Sequence, residues 1–588
     1  MSYREYWSTM ATEPKFSEII KAVDGLDRVD GNWTSVKIAF LRNITVDPVV
    51  PYLKFYCYQD GIRADVYMGD YDNAVQEAAS IDSPLYQYSP DVVIICLKLQ
   101  GVGIQDTSIA DTVRLIIDGI RNNSNATILL HNFTIPVYHS SGVLGSRGEY
   151  SRANTVRMIN DNILDAVSEY DNAYIADIDL LQSIIGYQRF IDNRYWHIAK
   201  MPYTREAFSL IAQEYMKFIR ALKGKNSKCL VLDCDNTLWG GIIGEDGINK
   251  IAIGKTYPGS AFLGLQDTIL GLYDRGILLA VCSKNNEQDV LEVLDKHPDM
   301  VLRREHFVAT RINWNDKVVN LREIAEELSI GLDSMVLMDD SEFEISMVKQ
   351  LLPEVKTIHL SGDPSSYADI LGSCGLFGTL MLSEEDRKRN EMYRADAGRK
   401  RAKDKFQDMT LDDYYRYLEM EVIIHSADEF SIPRIAQLTQ RANQFNLTTR
   451  RYTESEIKEL AEGEYSEVRY LRLKDRFGDM GIVGVAILKY HGDTALIDTF
   501  LLSCRIIGRG VEDILLKDCI DRATIKYCGE IIGVYEPTAK NSQVEKFYEN
   551  RGFIFLEKGV ISSEYGLSLD RTLPDLPNYF KSVGYNNR

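Results

Sequence analysis

The stretch KCLVLDCDNTLWGGIIGEDG, Lys228–Gly247, decides how this chain is read. Four apolar residues, Cys229–Leu232, end abruptly at Asp233-Cys234-Asp235-Asn236-Thr237. A short unbroken apolar run of this kind reads as a strand of a parallel sheet, buried on both faces. Open α/β sheets bind ligands at the carboxyl ends of their strands, which is where Asp233 and Asp235 fall. A carboxylate there can attack phosphorus, and the pair can hold Mg²⁺ through hard oxygen ligands. Asp-x-Asp also occurs in turns and calcium loops, so the tripeptide alone leaves both readings open.

Partners stand at the ends of later apolar runs. Ser283 follows Ile277–Cys282 in VCSKNN, and Lys317 opens a helical stretch in NWNDKVVNL. Asp339-Asp340 follows Met335–Met338 in LMDDSEFE, with Glu344 four residues beyond Asp340. Phosphoryl transfer needs a nucleophile, a cation and donors for the equatorial oxygens. In that scheme Asp233 attacks, while Asp235 protonates the leaving group and then activates water. Ser283 and Lys317 hold the phosphoryl group. Asp233, Asp235 and Asp340 ligate Mg²⁺, helped by Glu344 or Asp339. Singly, each has a plainer reading: Ser283 as a helix cap, Lys317 as a surface lysine, Asp339-Asp340 as a cap on the helix at Glu342. Found together and in order on strand ends, they favour the site.

The order DxDxT…S…K…DDxxxE resembles that of the haloacid dehalogenase (HAD) phosphatase superfamily. The longer string DCDNTLWGGIIGEDG, with CSKNN and DDSEFE, is similar to its FkbH-like branch. That resemblance spans essentially the whole chain and implies an α/β protein of three domains. Residues 1–222 are expected to form a degenerate SGNH-hydrolase-like doubly wound α/β domain, and 223–380 a HAD-like Rossmannoid α/β domain. Residues 381–420 are expected to be a charged helical linker, and 421–588 a GNAT-like α+β domain.

The pattern along the chain agrees. In the first 220 residues, strand-like runs at Val36–Leu41, Val92–Leu97 and Thr127–His131 alternate with helical stretches at Thr112–Arg121, Ala153–Val167 and Arg205–Ala221. The central part adds a strand at Thr357–Leu360 and helices at Ala261–Tyr273, Glu287–Lys296, Asp316–Leu328 and Glu342–Leu352. Such alternation argues doubly wound α/β units. The charged run from 383 to 418 reads as mostly helical. Beyond it, strands at Ser466–Lys474, Gly481–Tyr490, Thr494–Leu502 and Ile531–Tyr535 alternate with two helices, and TESE reads as a helix-capping signal.

Composition excludes other classes. A chain of 588 residues exceeds one core. A formal net charge of −19 opposes nucleic acid as the main partner. The opening residues MSYREYWSTMATEPKF are neither signal nor anchor, and no apolar run approaches the roughly 18 residues of a membrane helix. Nine scattered cysteines without metal spacing point to reduced thiols and a cytoplasmic protein.

In the last segment, Arg505-x-x-Gly508-x-Gly510 sits between a strand and a helix. Two glycines at a helix N-terminus free the backbone to cradle a pyrophosphate or phosphopantetheine. With NSQVEKFYENRGF further on, it resembles the R/Q-x-x-G-x-G/A signature of GNAT acyltransferases, which implies phosphopantetheine or CoA as a cofactor. In the N-terminal segment, HNFTIP (Asn132) and DNRYWHIAKMPYT (His197) resemble SGNH blocks. The match departs where a nucleophilic serine would stand, because LRNIT offers Arg42 and Asn43, and Arg194 replaces the aspartate three residues before His197. A non-hydrolytic domain is expected there.

Members of the FkbH-like branch are glyceryltransferase/phosphatases. The resemblance implies that this chain takes a glyceryl unit from 1,3-bisphosphoglycerate, holds it as an enzyme thioester, removes the remaining phosphate, and passes the unit to an acyl carrier protein in polyketide-type biosynthesis. The thioester needs a cysteine. Cys234, between the two aspartates, is the first candidate, with Cys282 and Cys504 behind it. The alternative is a HAD phosphatase fused to a GNAT acyltransferase acting on a sugar or amine with acyl-CoA, and a third reading is a non-catalytic scaffold.

Overall fold

A computed structural model describes residues 14–588 except 30, 32, 100–107, 139–140, 148–150, 383–389, 391, 394, 396–398, 400–409, 443, 539, 560–561, 570–575 and 587–588. The described residues divide into two compact units, one from 1–226 with 378–380, the other from 227–377 with 381–588.

The first unit carries strands β1 (Thr34–Arg42), β2 (Ile62–Tyr71), β3 (Val92–Cys96), β4 (Thr127–His131) and β5 (Ala173–Ala176). They form one parallel sheet in the order β2-β1-β3-β4-β5. β3 and β4 are buried at every position, as strands covered by helices on both faces must be. Alternate residues divide between two cores: Ile38, Phe40 and Ile94 join one, and Ala39, Leu41, Val93 and Ile95 the other. The expected strands coincide with β1, β3 and β4. The two that sequence reading missed, β2 and β5, are the sheet edges. Partial exposure there admits polar residues, as in IRADVYMGDY, and breaks the apolar run.

The second unit holds two sheets. In the first, β6 (Cys229–Leu232), β7 (Leu278–Ser283), β8 (Phe307–Ile312), β9 (Met335–Asp339) and β10 (Lys356–His359) run parallel in the order β10-β9-β6-β7-β8. β6 is central and buried throughout. Because β7 and β9 flank it in parallel, the ends of all three strands open at the same edge. Helices Gly259–Asp274, Glu287–Lys296, Lys317–Leu328 and Glu342–Leu351 connect them, close to the expected spans. β8 is another unforeseen edge strand.

The last sheet has nine strands: β11 (Glu421–Ser426), β12 (Phe445–Asn446), β13 (Ser466–Asp475), β14 (Gly478–His491), β15 (Thr494–Leu502), β16 (Glu530–Tyr535), β17 (Ile554–Lys558), β18 (Ser563–Ser568) and β19 (Ser582–Asn586). Its order is β17-β18-β16-β15-β14-β13-β11-β19, with β12 beside β15. Pairing is antiparallel except for β15 with β16 and β11 with β19. Where two helices were expected, the described residues show α-helices at Ile432–Arg441, Glu454–Glu462 and Val511–Ile525. The TESE signal is a capping box, with Thr453 and Glu456 satisfying each other's backbone N–H groups. Most of the charged run at 383–418 lies outside the described residues, and its end is the helix Leu411–Leu418. Among the described residues no helix is long and apolar enough to cross a membrane.

Candidate active site

The mouth of the sheet centred on β6 collects the predicted residues. Asp233 follows β6, Ser283 ends β7 and Asp339 ends β9. Lys317, the first residue of its helix, reaches between two of them, with Nζ 2.6 Å from Asp233 Oδ1 and 2.5 Å from Asp339 Oδ2. All three side chains are under a tenth exposed. The ligand oxygens of Asp233, Asp339 and Asp340 lie within 4.8 Å of one another. Buried carboxylate oxygens gathered at this spacing fit a hard divalent cation such as Mg²⁺, and one lysine offsets only part of their charge.

Asp235 is placed differently from the metal ligand it was expected to be. After Asp233 the chain turns sharply: Leu238 N–H donates to Cys234 O at 2.8 Å, and Asn236 adopts a left-handed φ of 53°. The turn sends the Asp235 carboxylate toward Trp239 Nε1 (2.9 Å), the Ile243 N–H (3.1 Å) and Asn285 Nδ2 (3.0 Å). Asp339, not Asp235, completes the carboxylate group. Asn285 also donates to Ser283 Oγ at 3.1 Å, so one amide aligns the hydroxyl with the carboxylate. Sequence reading passed over both Asn285 and Trp239. The signal for Asn285 was its place in the short polar bend right after Ser283, between the end of β7 and the next helix. Glu344 stands apart from the carboxylate group, with Oε1 2.8 Å from Lys284 Nζ.

Burial raises the Asp233 pKa from 3.8 to about 7: Lys317 pulls it down, and Asp339 pushes it up again. For Lys317, burial works against the charge, but Asp233 and Asp339 outweigh it and hold the ammonium charged. Burial and the Asp339 charge also raise Asp340. The site thus resists carrying all its negative charges at once and gains from a cation.

Cys234 is a correction. It has no exposed surface and packs in the core with Leu230, Leu232 and Leu238. Burial, followed by the Asp233 charge, drives its pKa well above that of an ordinary thiol. A thiol so placed is a packing residue, not a poised nucleophile. Cys282 is likewise buried, with its pKa pushed up to about 12, chiefly by burial. The Cys504 side chain lies outside the described residues.

At the far loop, Gly508 and Gly510 take φ of 77° and 74°, conformations that favour glycine, before the helix Val511–Ile525. Arg505 donates to Ser503 Oγ at 3.3 Å and points Nη1 at the Met392 sulfur, 2.9 Å away. In the first unit, Asn43 holds the Lys98 backbone on both sides, its Oδ1 accepting from Lys98 N–H at 2.7 Å and its Nδ2 donating to Lys98 O at 3.2 Å. Asn132 Nδ2 donates to Asp177 at 2.6 Å, and His197 is exposed. No hydrolytic triad forms among these residues.

Fold and site together define an enzyme that works on phosphoryl groups at the mouth of a parallel sheet. Residues 37–220 match the family model described as FkbH, N-terminal domain. A solved structure of the N-terminal part of the protein BF1531 from Bacteroides fragilis, containing a phosphatase domain and complexed with Mg, is 26% identical. It covers 63% of this chain and 100% of its own, with a TM-score of 0.58. The ribosomal-protein-S18-alanine N-acetyltransferase of Escherichia coli is 17% identical over 26% of this chain and 96% of its own, with a TM-score of 0.21. The PaiA N-acetyltransferase of Thermoplasma acidophilum, in complex with coenzyme A, is 16% identical over 20% of this chain and 68% of its own, with a TM-score of 0.17. No curated protein matched the chain.

Proposed function

We propose that the chain is a Mg²⁺-dependent glyceryltransferase/phosphatase. It loads a glyceryl unit from 1,3-bisphosphoglycerate, removes the remaining phosphate, and passes the unit to the phosphopantetheine thiol of an acyl carrier protein in polyketide-type biosynthesis. The observation that carries the phosphatase half is the group Asp233, Asp339, Asp340 and Lys317 gathered at the ends of β6 and β9. The Mg-bound phosphatase domain of the Bacteroides fragilis protein supports the same metal here. The glyceryl half rests on the resemblance of DCDNTLWGGIIGEDG to the FkbH-like branch.

Asp233 Oδ attacks phosphorus; the bond from phosphorus to the glyceryl oxygen breaks and an aspartyl phosphate forms. Asp235, held by Asn285, Trp239 and the Ile243 N–H, gives its proton to the departing oxygen. It then takes a proton from the water that hydrolyses the aspartyl phosphate. Ser283 and Lys317 donate to the phosphoryl oxygens. Asp233, Asp339 and Asp340 would hold Mg²⁺, which when bound supplies charge stabilisation of the transferring group. Reduced cysteines, and a surface without a dominant basic charge, suit a cytoplasmic enzyme that binds neither nucleic acid nor membrane.

The test is intact mass spectrometry after incubation with 1,3-bisphosphoglycerate and Mg²⁺, with and without holo carrier protein. A glyceryl adduct that disappears onto the carrier is expected, and peptide mapping then identifies the cysteine. Phosphate release without any adduct or transfer would sink the glyceryl reading. It would favour the competing one, a phosphatase joined to an acyl-CoA-dependent acyltransferase.

A further inference from the structure

The last sheet splits along one seam. β15 and β16 pair only from Thr494–Ile497 against Glu530–Gly533, whereas β14 stays beside β15 as far as Leu502. Beyond Ile497 the β16-side edge of β15 is released, and it leads into the loop that carries Arg505, Gly508 and Gly510. Consider a ligand whose diphosphate rests at that loop and whose arm carries amides. Its natural course is along the released edge, because an open strand edge offers unpaired N–H and C=O groups.

In this chain the edge is already taken. Phe445 and Asn446 pair antiparallel with Leu502 and Leu501. Leu447 N–H donates to Phe500 O at 3.0 Å, and Thr448 Oγ1 donates to Asp498 O at 3.0 Å. From the far side, Glu536 N–H, just past β16, donates to Leu447 O at 2.8 Å. The segment therefore bridges the two splayed strands, and its four residues are buried. Asn541, itself fully buried, fastens it with Nδ2 donating to Asn446 O at 2.9 Å.

The loop is covered as well. Tyr415 Oη donates to Gly508 O at 2.6 Å, and Tyr579 Oη donates to Arg509 O at 3.2 Å. A Cβ on Gly510 would meet Tyr579 Oη and, at 3.1 Å, Pro577 Cγ. The Glu512 carboxyl is buried beside the same loop, with its Oε2 lacking a hydrogen-bond partner among the described residues.

We propose that Phe445–Thr448 is a built-in strand that closes the thioester-arm groove of the C-terminal fold. A pantetheine arm reaches β15 only when this strand leaves. The idea rests on the reading above that such an arm visits this part of the chain.

Coenzyme A is the probe, measured on the full chain by calorimetry and by hydrogen exchange of the Leu447 amide. The Leu447 amide should be protected in the free protein and lose protection as coenzyme A saturates. Asn541→Ala removes the bond that fastens the strand, along with those Asn541 makes to Glu536 O, Thr538 N–H and Tyr535 Oη at the end of β16. If it raises the open population tenfold, it tightens coenzyme A binding about tenfold. Thr448→Val, of nearly the same shape, gives a second variant should the first fail to fold. Two results overturn the proposal: coenzyme A binding with Leu447 protection unchanged, or a variant whose strand is released by exchange yet binds coenzyme A no better. Mg²⁺-dependent phosphate release is followed in parallel. It persists if only the groove idea fails, and missing glyceryl adducts leave the exchange result standing.

Discussion

Asp233→Asn tests the nucleophile role proposed for Asp233 together with the electrostatic cost of its burial. The folded pKa of Asp233 is about 7 against 3.8 for the ordinary carboxyl. A carboxyl raised by folding stabilises the fold in its protonated form. That contribution is full below about pH 4 and is lost as pH rises through about 7. Over the whole range it amounts to about 4 kcal/mol at 1.36 kcal/mol per unit, and about 1 kcal/mol of it falls between pH 6 and pH 8. At about 2–4 °C per kcal/mol, the Mg²⁺-sensitive melting transition in EDTA should drop roughly 3 °C more in the wild type than in Asp233→Asn over that interval. With Mg²⁺ the wild type keeps Asp233 ionised, so this slope disappears and the melt rises by about 2.7 kcal/mol at a hundredfold excess over Kd. The variant gains far less and releases no phosphate. Differential scanning fluorimetry at both pH values, with EDTA or Mg²⁺, reads all four conditions. Equal EDTA slopes for the two proteins, or equal stabilisation by Mg²⁺, would refute the assignment of Asp233 as a metal ligand with a raised pKa.

Other substitutions test the surrounding groups. Lys317→Met leaves Asp233 and Asp339 buried without their cation, and should cost about 3–5 kcal/mol in EDTA, with Mg²⁺ restoring part of it in a thermal melt. Asn285→Ala removes the amide that ties Asp235 to Ser283 and should lower kcat for phosphate release by about 10–100-fold with a smaller change in KM. A KM effect alone would contradict a positioning role. Cys234→Ser keeps a small side chain beside the Ser283 hydroxyl and should change stability by about 1 kcal/mol, yet leave any glyceryl adduct in the mass spectrum. Loss of the adduct in a folded Cys234→Ser protein would restore that cysteine as the thioester carrier.

How much the sequence disclosed depends on where each residue lies in its sheet. β3, β4, β6, β7 and β9 are interior strands, and burial on both faces leaves an unbroken apolar run that reads directly. β2, β5 and β8 are edges, where exposure admits polar residues and the run dissolves, although the edge strand β10 was still legible at Thr357–Leu360. The candidate site was legible for the same reason. Asp233, Ser283 and Asp339 each terminate or follow an interior strand, so the change from apolar to polar marks them. Chain order could not decide which carboxylate would face the metal. A single left-handed residue, Asn236, turns the chain after Asp233 and delivers Asp235 to Trp239 and Asn285, while Asp339 stays with the Lys317 ammonium. Cys234 lies just past β6, and burial, which chain order does not show, is what sets its thiol apart from a poised nucleophile. The strand Phe445–Thr448 was beyond sequence reading altogether, because its partners Leu501, Leu502 and Asn541 lie far along the chain and only the splay of β15 from β16 creates the gap it fills.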